Sequence, residues 1–212
     1  TFSQPNSIIL VKNTDTAPVH DMRFGLTEKE IRHSRGLITK NEVRAAVLHA
    51  LRIPATGIFW DIGSGSGSIS IEAARLNPGL DVYAIDFKPD AIENIHFNRN
   101  KYKCWNISIH QGRAPEILTG MPNPDCVFIG GSGGMMKEIL DYVTKNSSPA
   151  CTLVITGVLE NTCTTAPELL YNMGYAVDIS VLSTRRFHYP ANEQIEFNPI
   201  HIIRGTRRDA QR

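Results

Sequence analysis

The sequence predicts an α/β domain in which a mostly parallel sheet of seven strands carries helices on both faces. Short apolar segments alternate with segments of helical periodicity from about residue 55 onward. The first of them, Ile58-Phe59-Trp60-Asp61-Ile62, is an apolar run typical of a strand buried on both faces. A connection too short for a helix separates the last two strands, which are therefore expected to form an antiparallel terminal hairpin. This alternation is typical of a Rossmann-like, doubly wound fold.

The individual elements follow from local signals. Thr39-Lys40-Asn41-Glu42 has the form of a capping box, and the helix that it starts should run to about Leu51. Gly174 should close the last helix in left-handed geometry. Strands are expected at 58–62, 81–85, 107–110, 126–129, 152–156, 175–182 and 196–203, and further helices at 69–76, 89–101, 135–143 and 165–173.

A chain of 212 residues is long enough for one well-packed domain, which we expect at 26–205. Residues 7–12 have the pattern of a strand, and a polar stretch with prolines follows them. Residues 1–25 are therefore expected to be an arm or the end of an upstream module, and 206–212 a basic tail. The chain opens on Thr1 instead of methionine, which indicates a piece of a longer polypeptide.

Composition excludes several classes of protein. A formal net charge of +1 provides no global field that would attract nucleic acid. No apolar run approaches the length of a membrane span, and no signal peptide opens the chain. The four cysteines are widely spaced and form no C-x-x-C pair, so we expect neither a zinc site nor disulfides but reduced thiols in the cytoplasm.

The loop after the first strand points to a ligand. A dinucleotide fingerprint counted from Gly63 requires its third glycine at position 68, where this chain has Ser68. The pattern that remains, acid-x-G-x-G-x-G, fits S-adenosylmethionine. Asp61 would supply negative charge near the cofactor's amino-acid end, and the loop would leave room for that end. The loop consists of Gly63, Ser64, Gly65, Ser66 and Gly67.

Two further elements stand where such a cofactor needs them. Asp86 ends the second strand about 20 residues past the loop, where a carboxylate accepts both ribose hydroxyl protons. Ala114, within Gly112-Arg113-Ala114-Pro115-Glu116, follows the third strand, where an adenine edge would lie. Three elements in this order favour S-adenosylmethionine over the alternative that they are only turns of an α/β protein.

The fourth strand ends in a glycine run that should face the methyl acceptor. It lacks the Asn/Asp-Pro-Pro-aromatic motif of enzymes that methylate exocyclic base nitrogens, and it lacks an acidic metal ligand, so no metal is expected. Cations that could bind an anionic acceptor are Arg32, His33, Arg35, Lys40, Arg44, Arg185, Arg186 and His188. The candidate acceptor site comprises Gly130, Gly131, Ser132 and Gly133 with Arg185 and Arg186, whose loop should overhang the cleft.

These motifs together resemble a known family, the decarboxylating precorrin-6Y methyltransferases, in the subunit or domain that acts at carbon 15 in cobalamin biosynthesis. The resemblance extends over about residues 26–205. It rests on Thr-Lys-x-Glu-Val-Arg at 39–44, on the glycine loop, on Tyr83-Ala84-Ile85-Asp86, on Ala114-Pro115-Glu116 and on Ile129-Gly130-Gly131-Ser132-Gly133-Gly134. The family commonly has an acidic residue where this chain has Arg113.

The resemblance implies a class I S-adenosylmethionine-dependent methyltransferase that methylates a ring carbon of a precorrin or cobalt-precorrin and decarboxylates an acetate side chain. It implies that Thr39 contacts the cofactor, as do the glycine loop, Asp86 and Ala114. It also implies a tetrameric assembly and fusion to, or partnership with, a carbon-5 methyltransferase. Residues 1–12 resemble the final strand of that methyltransferase. No catalytic acid or base is identified, and the alternative of another small-molecule or RNA methyltransferase stays open.

Overall fold

A computed structural model describes residues 24–34, 36, 38–158, 160–191 and 193–208, with the side chains of residues 160 and 161 excepted. The strand predicted at 7–12 and Arg35 lie outside the described residues. The elements are, in chain order, α1 (Asn41–Leu51), β1 (Thr56–Ile62), α2 (Ser68–Leu76), β2 (Gly79–Asp86), α3 (Pro89–Tyr102), β3 (Ile107–Gln111), a 3-10 turn (Glu116–Leu118), β4 (Cys126–Ile129), α4 (Met136–Asn146), β5 (Thr152–Gly157), α5 (Glu160–Asn172), β6 (Tyr175–Leu182), β7 (Arg185–His188), β8 (Glu193–Glu196) and β9 (Ile200–Arg207).

Seven strands form one sheet in the order β3-β2-β1-β4-β5-β9-β6. Strands β1 to β5 are parallel, whereas β9 lies antiparallel between β5 and β6. The predicted parallel sheet with an antiparallel end is therefore confirmed. Because β1 has β2 on one side and β4 on the other, the chain leaves the sheet in opposite directions there, and a crevice opens at the carboxyl ends of these strands.

Helices cover both faces of the sheet, as the sequence predicts. One core packs β-strand side chains such as Phe59 against α1, α2 and α3, and the other packs side chains such as Trp60 against α4 and α5. Successive residues of a strand point to opposite faces. Phe59 and Trp60 are both fully buried for this reason, each in a different core.

A buried ion pair fixes the segment before α1. Arg44 and Glu72 are 2 % and 0 % exposed, and their Nε and Oε1 atoms lie 3.3 Å apart. The Glu72 carboxylate also accepts hydrogen bonds from the backbone N–H groups of Gly25 and Leu26, while Arg44 donates to the Leu26 carbonyl. Since an unpaired buried charge is costly, this network holds residues 25 and 26 against α2.

The connection between the last two strands of the sheet differs from the prediction. It contains a separate antiparallel hairpin, β7 and β8, so Glu196 belongs to β8 and β9 begins at Ile200 instead of at residue 196. Arg185 lies opposite Glu196 in this hairpin, and their side chains form an ion pair of 3.3 Å. Opposite charges on directly paired residues stabilise such a two-stranded ribbon.

The larger remaining differences are two element boundaries and one helix cap. Helix α5 begins at Glu160, five residues before the predicted start. Strand β9 continues through Arg207, beyond the domain boundary expected at residue 205, because Thr206 and Arg207 pair with β6. The predicted capping box is not formed: Lys40 precedes α1 without a side-chain cap, and the Glu42 carboxylate accepts hydrogen bonds from Arg186 instead. Gly174 has the expected positive φ, +89°.

The structure describes all four cysteines, and none of them forms a disulfide bond. None of the helices within the described ranges is both long and apolar enough to span a membrane.

Candidate functional site

The glycine loop after β1 folds over the end of β2. The N–H groups of Gly63 and Ser64 donate to the Ile85 carbonyl at 2.9 and 3.0 Å. A Cβ on Gly63 would lie 2.4 Å from the carbonyl oxygen of Gly131, so only glycine lets this loop approach the loop after β4. A Cβ on Gly65 would meet no heavy atom within 4 Å, which shows that this residue faces open space.

Asp86 organises the same loop. Its Oδ2 accepts a hydrogen bond from the Gly65 N–H at 2.9 Å, and its Oδ1 accepts one from the Lys88 N–H at 3.0 Å. The residue is 7 % exposed, and it lines the cavity next to the loop. Each carboxylate oxygen has a further lone pair, so the carboxylate retains the capacity to accept hydrogen bonds from a ligand.

The cavity beside Asp86, here called the Asp86 cavity, has a volume of about 360 Å³. Ala114 lines it, as the sequence predicts for the residue after β3, and so does the neighbouring Arg113. The Arg113 guanidinium stacks on the Phe87 ring at 4.1 Å from the ring centre. The loops after β2 and β3 thus meet at one wall of this cavity.

A second and larger cavity, the Lys40 cavity, has a volume of about 1200 Å³. It extends from the segment before α1 to the start of α5 and to the residues that precede β9. Thr39 and Lys40 lie on one wall, and Lys137, in the first turn of α4, lies on another. The two cavities meet along a common wall, formed by Gly63, Gly65, Ser66, Gly130, Gly131, Ser132 and Gly133.

The structure brings most of the predicted cofactor residues together, but it places Asp61 and Gly67 elsewhere. Asp61 is fully buried and lines neither cavity. Strand alternation turns its side chain away from the core that contains Trp60, and its Oδ2 accepts hydrogen bonds from the N–H and hydroxyl of Ser70 in α2. A Cβ on Gly67 would lie 3.1 Å from Ile95, so this glycine allows close packing.

Burial changes the acidity of Asp61. Removal from water raises the pKa of its carboxyl group to about 7, and the nearby charge of Asp86 adds to the rise. The hydrogen bonds from Ser70 act in the opposite direction. One oxygen of Asp61, Oδ1, has no hydrogen-bond partner among the described residues.

The predicted acceptor residues divide into two groups. The four residues at 130–133 line both cavities, as described. Arg185 and Arg186 line neither, because the hairpin directs them to carboxylates of the protein. Arg186 forms ion pairs of 2.6 Å with both Glu28 and Glu42, and the hydrogen bonds that its guanidinium donates to Glu42 and Glu28 raise its pKa.

Among the described residues, the cations that line the Lys40 cavity are Lys40 itself and Lys137. Sequence reasoning included Lys40 only within a wide set of cations and missed Lys137. A signal existed: Lys137 follows the glycine run after β4 by three residues, at the start of a helix that opens on the crevice. Both lysines are paired within the protein, Lys40 with Glu28 and Lys137 with Asp141, and both pairs are partly exposed.

The residues present fit S-adenosylmethionine. This cofactor needs open space where it passes the two loops, and Cβ atoms at Gly65 and Gly131 would meet no heavy atom within 4 Å. It also needs a carboxylate near a ribose, which Asp86 supplies at the wall of the same cavity. The doubly wound sheet, this loop and a second cavity across a common wall define the class: an S-adenosylmethionine-dependent methyltransferase.

Comparison with known proteins identifies the family. The precorrin methyltransferase domain family matches residues 30–182, so the chain belongs to it. A relative from Salmonella typhi, the cobalt-precorrin-6B C(15)-methyltransferase (decarboxylating), is 38 % identical over 137 residues, which are 65 % of this chain and 70 % of that protein. The crystal structure of precorrin-6y C5,15-methyltransferase from Geobacter metallireducens superposes with a TM-score of 0.85 at 35 % identity, covering 88 % of this chain and 98 % of that one.

A third relative is longer. The precorrin-6Y C(5,15)-methyltransferase [decarboxylating] of a Sinorhizobium species is 38 % identical over 109 residues, which are 50 % of this chain but 26 % of that protein. A structure with 12 % identity, a SAM-dependent O-methyltransferase from Thermotoga maritima, has a TM-score of 0.67 and shows the fold alone.

Proposed function

We propose that this chain transfers a methyl group from S-adenosylmethionine to carbon 15 of a precorrin or cobalt-precorrin and removes the carboxyl group of an acetate side chain. The observation that carries this proposal is the pair of cavities with a common glycine wall. The Lys40 cavity, at about 1200 Å³, exceeds the 300–1,000 Å³ typical of small-molecule sites, as a bulky macrocycle requires. The family and the names of the relatives support the substrate.

In this proposal the Asp86 cavity holds the methyl donor. Asp86 accepts hydrogen bonds from the ribose hydroxyls, and backbone at Ala114 borders the adenine. The glycine loop and Thr39 surround the amino-acid end, since Gly63, Gly65 and Ser66 belong to both cavities and Thr39 lines the second. S-adenosylmethionine, when bound, supplies a methyl group activated by the sulfonium charge.

Asp61 acts on this site through the fold and not by contact. Its carboxylate holds the first turn of α2 through Ser70, and α2 follows the glycine loop directly. The side chain at this position thus orders the loop, and its ionised form adds negative potential near the amino-acid end of the cofactor.

The common wall positions the acceptor. Methyl transfer depends on alignment of the nucleophile with the methyl carbon and the leaving sulfur, so the close approach of the two loops matters more than an acid or a base. Gly131 exposes no side chain there, and a Cβ on Gly130 would collide with Phe128 and with the Gly63 carbonyl. Glycines at this common lining therefore leave room for the sulfonium methyl group and the acceptor carbon to come into direct contact.

We also propose a partner with carbon-5 methyltransferase activity, supported by the larger size of the Sinorhizobium relative. Assembly as a homo-oligomer remains a proposal that rests on the family resemblance. We infer a cytoplasmic location, because four cysteines without a disulfide bond fit a reducing compartment.

Mass spectrometry of the tetrapyrrole product tests the proposed function. The purified chain is incubated with S-adenosylmethionine and either a precorrin-6B-type tetrapyrrole or transfer RNA. We expect a tetrapyrrole that has gained a methyl group and lost carbon dioxide, and we expect no methylated RNA. Gly65→Val, which we expect not to bind the cofactor, serves as the negative control. Methylated RNA with unchanged tetrapyrrole would establish the alternative function instead.

A further inference from the structure

Lys40 lines the Lys40 cavity at a place where the segment before α1 meets the segment after β8. Its ammonium group donates a hydrogen bond of 2.9 Å to the Oε2 atom of Glu28. The same ammonium lies 5.5 Å from the ring centre of Phe197, which also lines the cavity. Lys40 is partly buried, so its charge is open to a ligand and yet partly shielded from water.

Arg186 holds both neighbours of Lys40, although it lines neither cavity. Its guanidinium lies 4.9 Å from the centre of the same Phe197 ring. It also donates to the Oε1 atom of Glu28 at 2.6 Å, while Lys40 binds the other oxygen of that carboxylate. Two hydrogen bonds to the Glu42 carboxylate, of 2.9 and 2.6 Å, anchor Arg186 to the first turn of α1. The hairpin thus fixes the surroundings of Lys40 through one side chain.

The ion pairs join two cations and two carboxylates, so the cluster of Glu28, Lys40, Glu42 and Arg186 is formally neutral. Burial opposes ionisation of Glu28, but the hydrogen bonds from Lys40 and Arg186 outweigh it and lower the pKa of this carboxyl group. Without Arg186 the cluster would carry a net negative charge and would repel an anionic ligand.

The Lys40 ammonium retains hydrogen-bonding capacity. An ammonium group has three N–H donors, and among the described residues Lys40 donates one hydrogen bond, to Glu28. Two donors therefore remain for a ligand in the cavity. A carboxylate is the acceptor that an ammonium group binds most strongly, because the hydrogen bond is then assisted by both charges.

Lys137 is the other cation among the described residues that line this cavity, and its surroundings differ. It pairs with Asp141 on the same helix, and the two side chains are 65 % and 51 % exposed. Water and salt screen such an exposed pair. The side chains of Lys40 and Glu28 are only 28 % and 17 % exposed, so a carboxylate that binds Lys40 is screened less.

We propose that Lys40 binds a carboxylate of the methyl acceptor, and that Arg186 is the positioning residue that keeps this site neutral enough for an anion to enter. The inference rests on the proposed function and deepens it, because it names the groups that recognise a tetrapyrrole with carboxylate side chains. The Phe197 ring beside the ammonium offers the macrocycle an apolar contact next to the bound carboxylate.

Titration with a precorrin-6B-type tetrapyrrole and, separately, with S-adenosylhomocysteine tests the role of Lys40. We expect Lys40→Met to weaken tetrapyrrole binding by about tenfold or more, and Lys40→Arg, which keeps the charge, to stay within about threefold. Affinity for S-adenosylhomocysteine should stay within about twofold in both variants, although Thr39 is the adjacent residue. Lys29→Met is the matched control, since Lys29 is an exposed lysine of the same segment that lines neither cavity.

The role of Arg186 is tested by removing its charge and then restoring neutrality. Arg186→Met should weaken tetrapyrrole binding by about fivefold or more, because two carboxylates then face one cation. Adding Glu42→Gln to this variant makes the cluster neutral again and should recover most of the loss. Arg185→Met is the control, since Arg185 forms an exposed ion pair with Glu196 and should leave both affinities unchanged.

Thermal unfolding confirms that each variant is folded. Unchanged tetrapyrrole affinity in Lys40→Met overturns the inference, and so do equal losses in Lys40→Met and Lys40→Arg. A parallel loss of S-adenosylhomocysteine binding also overturns it, because that result indicates general damage to the segment before α1. Failure of Glu42→Gln to restore binding would show that Arg186 acts only by tethering the hairpin. An unmodified chain that does not bind the tetrapyrrole would refute the proposed function itself.

Discussion

Replacement of Asp86 by alanine is expected to weaken binding of S-adenosylmethionine by about 10- to 100-fold. A hydrogen bond to a charged group contributes about 1.5–3 kcal/mol, and about 1.4 kcal/mol corresponds to a factor of ten in affinity. The carboxylate is 7 % exposed and is partly shielded from competing water, which favours the full effect. The same change removes the acceptor of the Gly65 N–H, so the loop also loses a bond of 2.9 Å.

Isothermal titration with S-adenosylhomocysteine measures this effect. Asp90→Ala is the matched control, because Asp90 lines the same cavity on an exposed position in the first turn of α3. We expect this control to bind within about twofold of the unmodified chain, as surface charges contribute little. Unchanged affinity in a folded Asp86→Ala variant, or an equal loss in both variants, would refute the reasoning that Asp86 binds the ribose.

Three further predictions concern the loop and the buried charges. Gly65→Val should abolish S-adenosylhomocysteine binding in a chain that still unfolds cooperatively, since valine is strained at φ +56° and would enter the open cavity. Arg44→Met should lower the free energy of unfolding by about 3–5 kcal/mol in urea titrations, because Glu72 keeps an unpaired buried charge. A loss of stability smaller than that caused by replacing an exposed arginine would contradict this prediction. Asp61→Asn should flatten the pH dependence of that free energy between about pH 4 and 7. The folded pKa of about 7 exceeds the ordinary aspartate pKa of 3.8, so the native state binds the proton and stability falls as pH rises through this window. An equally steep fall in the variant would show that Asp61 is not its source.

Local signals in the sequence were sufficient to predict the central sheet and the position of the glycine loop after β1. Strand β1 and Asp86 are recognisable because each depends on a few adjacent residues: a run of apolar side chains, and a carboxylate at the end of such a run. The positive φ angles at Gly63 and Gly65 follow from glycine itself. Position in the parallel fold then brings these elements to the same crevice.

The features of the fold and of the candidate site that local signals did not predict depend on contacts between residues far apart in the sequence. Arg186 is separated from Glu42 by 144 residues, and no local pattern indicates that two carboxylates would bind it. The same contact explains why the expected capping box does not form. The orientation of Asp61 is a different case: its neighbours Trp60 and Ile62 both face the α4–α5 core, so strand alternation alone directs Asp61 to the opposite face.

The glycine wall between the cavities has a consequence for how the two ligands influence each other. Gly63 and Gly131 are in such close backbone contact that displacement of one loop must displace the other. In the proposed arrangement, a ligand that displaces one loop and thereby the other would alter the free energy of binding on the other side. Thermodynamic linkage makes this effect reciprocal: the factor by which S-adenosylhomocysteine changes the affinity for the tetrapyrrole equals the factor by which the tetrapyrrole changes the affinity for S-adenosylhomocysteine. In the proposed arrangement, the affinity for either ligand thus depends on whether the other is bound, and substitutions in this wall are expected to change the affinity for both.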